Sequence, residues 1–228
     1  MDDPGRWTDL DRPPLLTGPL RVAVTGGPDP AWRALHVVDS TTSTNTDLAA
    51  RARDGEPEGY VLVADHQSAG RGRLGRQWQA PPRSGLAVSV LLRPGPDPER
   101  WSWLPLLAGQ AVVDVLHRIC GLPARLKWPN DVLVPDGGRG GGVERKVCGV
   151  LADLVADSTG RPVAVVLGAG INVSQSAGEL PVPTATSLRL AGAASTDRGV
   201  LARAYLRALA ARYRSWARTG RDARACGL

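Results

Sequence analysis

The sequence predicts an α+β domain, a mixed β-sheet with a ligand-bearing face and helices packed mainly on the other side. Three observations predict it. Apolar runs of strand length recur at Ala34–Val38, Tyr60–Asp65, Leu86–Leu92 and Pro162–Val173. Segments with helical spacing of apolar residues lie at about 45–54, 104–120 and 197–218. The second and third strands are joined by a glycine- and arginine-rich loop and not by a helix, a β-loop-β unit that argues against an all-parallel, doubly wound sheet. At 228 residues, 43% of them hydrophobic, the chain suits one domain, or one domain with a small appendage.

In order, residues 1–30 are rich in proline and glycine and predict a loosely packed N-terminal arm. Its one apolar piece, Leu15–Val24, fits a turn of helix or an edge strand. The arm is too short for a helix-turn-helix, so direct operator binding is not expected. Residues 31–220 form the main domain and 221–228 a tail. After the first strand, the polar run Asp39–Asp47 leads into a helix of about ten residues, with Thr44-x-x-Asp47 as a capping box and Gly55 as the stop. Those hydroxyls either only cap or also hold a polar ligand, and spacing alone favours capping.

Trp101 and Trp103 open the apolar segment Leu104–Cys120, a core helix stopped at Gly121 with His117 at its surface. Arg125–Val134 is strand-like on both sides of Pro129, which places Asn130 and Asp131 at a bend. The stretch from Pro135 to Gly142 is a flexible loop, and Lys146–Leu154 and Pro162–Val173 are further strands. Ser174–Leu190 is a polar loop. The last helix follows Thr196 and sets Leu201, Tyr205, Leu209 and Tyr213 on one face.

Composition narrows the function. A net charge of +6 and a pI of about 9.9 suit an acidic small substrate, an acidic protein partner or nucleic acid, and no zinc-finger or RRM pattern supports the last. Cys120, Cys148 and Cys226 are widely spaced, which disfavours a disulfide framework or a structural metal site. With neither a signal sequence nor a run of about eighteen apolar residues, the expectation is a soluble, cytoplasmic protein that uses neither membrane nor DNA. Of 28 basic residues only Lys127 and Lys146 are lysine. Where arginine serves almost everywhere else, a retained ammonium suggests chemistry that a guanidinium fork cannot perform.

The stretch from His66 to Trp78 combines Gly70, Gly72 and Gly75 with Arg71, Arg73 and Arg76. Mobile backbone with planar donors fits an anion-handling loop. Gly70-x-Gly72-x-x-Gly75 matches the dinucleotide fingerprint literally, but Pro81-Pro82 follows where that motif must open a helix, and no ribose-binding acid appears about twenty residues on.

Five strings occur in one order: Ser43-Thr44-Asn45; Gln67-x-x-Gly70-Arg71-Gly72-Arg73-x-Gly75-Arg76-x-Trp78; Lys127-Trp128-Pro129-Asn130-Asp131; Lys146-x-x-Gly149; and Gly168-x-Gly170-Ile171-Asn172. Together they resemble the biotin protein ligases across about residues 34–218. The resemblance implies a class II synthetase-like catalytic domain over 31–220. Such a domain activates biotin with ATP and Mg²⁺ to biotinyl-5′-AMP, then transfers biotin to a lysine of a biotin carboxyl carrier protein domain.

By the same resemblance, Ser43, Thr44, Asn45, Gln67, Gly70, Arg71, Gly72, Arg73, Lys146 and Gly149 would bind biotin. Arg71, Arg76, Trp78, Lys127, Asn130 and Asn172 would serve ATP. Lys146, Arg73 and Asp131 would be catalytic, Asp131 accepting the proton of the incoming amine. Family members commonly add a C-terminal SH3-like domain and some an N-terminal DNA-binding domain, so a short form is expected, with a homodimer formed by sheet-edge pairing as one assembly. The alternatives are a lipoate or octanoate ligase of the same fold, a non-catalytic biotin-adenylate regulator, and a basic nucleic-acid-binding module.

Overall fold

The computed structural model describes residues 11–28, 30–136 and 142–220. The apolar runs pair into one seven-stranded mixed sheet: β1 (Ala34–Val38), β2 (Tyr60–Ala64), β5 (Gly85–Leu92), β6 (Arg125–Lys127), β7 (Asp131–Pro135), β8 (Glu144–Ala156) and β9 (Pro162–Asn172). Across the sheet the order is β1-β2-β5-β9-β8-β7-β6. β1 and β2 are parallel, and every other neighbouring pair is antiparallel. The arginine-glycine loop forms a separate ribbon of β3 (Gly70–Arg71) and β4 (Gln77–Trp78).

The pleat sorts the side chains. Along β5, Leu86, Val88, Val90 and Leu92 enter the main core, and along β9 so do Val165, Leu167, Ala169 and Ile171. That core is covered by α1 (Thr17–Thr25), α3 (Leu104–Val115) and α4 (Arg198–Arg218), through Leu20 and Val24, Leu104 to Val115, and Leu201 to Trp216 respectively. Alternate positions of the same strands point to the opposite face, where Leu48, Ala49 and Ala52 of α2 (Thr44–Arg53) pack against Leu62, Leu91 and Val166 in a smaller cluster.

The expected fold class holds, with four local differences. First, α2 lies on the face opposite α3 and α4, because its amphipathic stripe finds the second apolar surface of β2, β5 and β9. Second, residues 11–28 do not form a loose arm: Leu15–Val24 supplies the helix α1, Leu20 and Val24 are buried, and Arg12 is 5% exposed. Third, α2 is capped one residue early. Ser43 accepts the Thr46 N–H at 3.4 Å, and the Asp47 carboxylate is instead taken by the Thr41 hydroxyl at 2.5 Å. Fourth, α3 widens into a π-turn over Leu116–Cys120 before the left-handed Gly121 ends it. Of the expected flexible loop, 137–141 lie outside the described residues, as do 1–10 and the tail 221–228.

Candidate active site

The site lies on the α2 face and is built from small residues in register across five strands. Ala64 of β2 pairs with Ala87 of β5, Ala87 with Gly170 of β9, Gly170 with Gly149 of β8, and Gly149 with Asp131 of β7. The next row pairs Ser89 with Gly168 and Gly168 with Leu151. A floor without large side chains leaves a shallow groove whose width is set by what stands at its ends.

One end is a cluster of buried hydroxyls and amides. Ser43, Thr44 and Asn45 at the start of α2 are all buried. Gln67 Oε1 accepts the Thr44 backbone N–H at 2.8 Å and stands 3.0 Å from the Thr44 hydroxyl. Ser89 donates to Asn45 Oδ1 at 2.6 Å and lies 2.7 Å from Thr44 Oγ1. The Thr44 hydroxyl thus has one proton for two neighbouring acceptors, so this end can take a donor from outside. Asn45 Nδ2 donates to Asp153 Oδ2 at 3.0 Å, and a Cβ on Gly168 would collide with the Asn45 side chain. A cavity of about 20 Å³ beside Gln67 is lined by residues 64–67, by Trp78, Ala80 and Pro81, and by residues 85–87.

The other end is charged. Lys146 Nζ lies 2.6 Å from Asp131 Oδ1 and 5.7 Å from the centre of the Trp78 ring, within cation–π range. Trp78 covers the floor between the two ends: a Cβ on Gly170 would come within 2.6 Å of its ring, and one on Gly149 within 3.2 Å. The β3–β4 ribbon hangs over this end. Arg73 donates to Asn130 Oδ1 at 3.4 Å and Arg71 to Asp153 Oδ2 at 3.2 Å, while Leu74 takes a positive φ of 57° and is 87% exposed. No thiol chemistry is placed here, since burial pushes the Cys120 thiol up to about 11 and Cys148 to about 12.

The sequence-predicted residues therefore fall into three sets. Thr44, Asn45 and Gln67 meet around Ser89, with Ser43 beside them as the helix cap. Gly149, Lys146, Asp131, Trp78, Asn130 and Arg73 gather at the charged end, while Arg71 reaches Asp153 beside Asn45 at the other; Gly70 lets the ribbon strands approach closely, with Gly72 next to it. Asn172, Lys127 and Arg76 stand apart from both. Asn172 is buried, donating to Thr186 O at 3.0 Å and accepting from Gln175 at 3.1 Å, and so binds loops together. Lys127 is exposed on the edge strand β6, and Arg76 is exposed on the ribbon. Sequence reasoning passed over Ser89, Gly168, Gly170 and Asp153 as site residues. Two signals were present: a lone serine inside an apolar strand, and glycines at a spacing of two on one strand face.

The comparisons with known proteins bear on the family and the fold. Residues 37–172, more than half of the chain, match the biotin/lipoate A/B protein ligase family. The chain belongs to this family. It is 44% identical over 216 residues to the biotin–[acetyl-CoA-carboxylase] ligase of Mycobacterium tuberculosis, covering 92% of this chain and 75% of that protein. To the bifunctional ligase/repressor BirA of Escherichia coli it is 31% identical over 211 residues, with 61% of that protein covered; for BirA of Bacillus subtilis the covered share is 53%. The chain thus spans about half to three fifths of those BirA proteins. Among solved structures it resembles the biotin protein ligase of Aquifex aeolicus in complex with biotin and ATP, with a TM-score of 0.66 and 30% identity over 82% of this chain and 73% of that one. The family expectation drawn from the five sequence strings holds.

Proposed function

We propose that this chain is a biotin protein ligase that forms biotinyl-5′-AMP from biotin and ATP and passes the biotinyl group to a lysine of a biotin carboxyl carrier protein domain. The observation that carries this reading is the groove itself. Its floor is glycine-lined, with a hydroxyl-and-amide cluster at one end and Lys146, Asp131 and Arg73 at the other. Biotin has the same polarity, a neutral ureido ring at one end and a carboxylate at the other.

In this reading Ser43, Thr44, Asn45 and Gln67 hold the ureido group, and Gly149 with Gly70 and Gly72 lets the ligand approach the backbone. The biotin carboxylate oxygen attacks the α-phosphorus of ATP, an O–P bond forms, and pyrophosphate leaves. Two anions must meet for this, so Arg71, Arg73 and Lys146 offset their repulsion and the developing charge. Trp78 and Asn130 are assigned to the nucleotide side; Arg76 and Lys127 would reach it from outside the groove, and Asn172 would support it through the loops that its amide ties together. In the second step the carrier amine attacks the anhydride carbonyl, AMP departs, and Asp131 accepts the proton. Lys146 lies 2.6 Å from Asp131, so moving the ammonium onto the substrate carboxylate would free Asp131 for that task.

Magnesium is commonly held by substrate phosphates with one or two carboxylates. Asp131 at the charged end is a carboxylate that fits that mode while ATP is bound. The ion would add positive charge at the phosphates. No helix among the described residues is long and apolar enough to cross a membrane, and we assign the activity to the cytoplasm. Two copies could join by pairing the sheet edges β1 or β6.

ATP–pyrophosphate exchange with biotin, lipoate and octanoate in turn tests the reading. Biotin should support exchange at least tenfold better than either fatty acid, and a preference for lipoate or octanoate would move the protein to the other branch of its family.

A further inference from the structure

Asp65 closes β2 two residues before Gln67 and is 5% exposed. Its Oδ1 accepts from Arg198 Nη1 at 2.7 Å, and its Oδ2 accepts the Leu15 backbone N–H at 3.4 Å and lies 3.7 Å from Arg83 Nε. Its carbonyl accepts the Arg83 N–H at 2.8 Å. Arg198, the first residue of α4 and 6% exposed, also donates to Pro13 O at 2.6 Å and to Gly85 O at 3.4 Å. One buried carboxylate–guanidinium pair therefore joins four segments: 13–15, the end of β2, the 83–85 turn and the start of α4.

Two of those segments, 65–67 and 85–87, continue neighbouring strands that pair at Ala64 and Ala87, and both line the small cavity beside Gln67. A buried ion pair is a poor device for stability alone, because desolvation offsets most of its attraction. What a guanidinium fork supplies is fixed geometry between several acceptors at once. Among the described residues, the groups within hydrogen-bond reach of this pair do not belong to the groove floor or to the charged end.

We propose that Asp65 and Arg198 are positioning residues for the pocket that takes the uncharged end of the ligand, holding Gln67 and the 83–87 wall at the separation the ligand needs. The inference rests on the biotin ligase reading for the identity of that ligand. Neither residue touches the reacting atoms, so their loss should act on capture of biotin and not on the chemical step.

The test uses the full chain with Asp65→Asn, which keeps shape but removes the charge, and Arg198→Lys, which keeps the charge but loses the second arm of the fork. Pyrophosphate exchange should show the KM for biotin rising about tenfold or more, with kcat and the KM for ATP within about twofold of wild type. Hydrogen exchange of the ligand-free variants should quicken at 65–69 and 83–87 and stay unchanged in α3. Unchanged biotin KM, a fall in kcat alone, or equal rises in both KM values with faster exchange throughout would each overturn the proposal. If Asp65→Asn does not fold, Arg198→Lys decides. If wild type shows no biotin-dependent exchange, the functional reading fails, while hydrogen exchange still decides whether the pair positions these walls.

Discussion

At the scale of single residues, Lys146 is where the chemistry concentrates. Its ammonium sits between the Asp131 carboxylate and the Trp78 ring, on a strand whose neighbouring Gly149 leaves no room beneath it: a Cβ there would stand 3.1 Å from Nζ. A guanidinium is broader and planar, so Lys146→Arg should push the ribbon outward. Pyrophosphate exchange should fall on the order of 10²-fold, the cost of about 1 Å of misplacement. Both partners are partly exposed, so stability should change by less than about 1 kcal/mol. Wild-type exchange in this variant would reduce Lys146 to a surface lysine. Gly170→Ala is the companion experiment. Its methyl group would lie 2.6 Å from the Trp78 ring, so Trp78 must leave the floor. Biotin affinity should drop at least tenfold while the melting temperature stays within a few degrees; unchanged affinity would mean that Trp78 does not shape the groove.

At the scale of elements, the β3–β4 ribbon differs from the rest of the site. It is tied to itself by one two-residue strand pair, and Arg71, Arg73, Leu74, Gly75 and Arg76 are exposed. Its contacts to the body through Arg73–Asn130 and Arg71–Asp153 are long and solvent-facing. Its tip, residues 71–76, lies outside the packing that Trp78 makes on the floor; a segment with few buried contacts opens at low free-energy cost, and a ligand that bridges it to the floor should close it. Limited trypsin digestion should therefore cut after Arg73 or Arg76 first, and biotin plus ATP should slow that cut several-fold. Equal cutting with and without ligands would show that the ribbon is already in its bound form. α2 behaves in the opposite way, because Thr44, Asn45 and Ser43 are buried and bonded at its first turn. Opening that end would break these buried bonds.

For the whole molecule, the core sets an alkaline limit. Burial raises Cys120 from its ordinary 9.0 to about 11 and Cys148 to about 12, and it raises the Tyr205 hydroxyl as well. The folded chain keeps these protons where the unfolded chain has begun to lose them. This contribution is therefore complete below pH 9 and is lost as pH rises through the folded values. Each group can remove up to about 1.4 kcal/mol per pH unit in that window. The urea midpoint should fall between about pH 9 and 11, by roughly this slope divided by the m-value, and Cys148→Ala should flatten the fall; a level midpoint in wild type would count against the assignment.

What the sequence by itself determined is what depends on local pattern and residue chemistry. The five strings carried the family, and strand and helix periods placed most elements within a residue or two, as with Ala34–Val38 and the last helix. Tertiary structure decided what depends on register. Ala87, Gly170, Gly149 and Asp131 form one floor only because four strands pair in that alignment, and no spacing along the chain records it. The same holds for α2, whose amphipathic stripe could have been buried on either face of the sheet. It holds too for the N-terminal segment, where a proline-rich composition suggested looseness while Arg12, Leu20 and Val24 are buried by partners more than a hundred residues away or on β1 and α4. A sequence shows which side chains can do the chemistry; strand pairing and burial settle which of them meet.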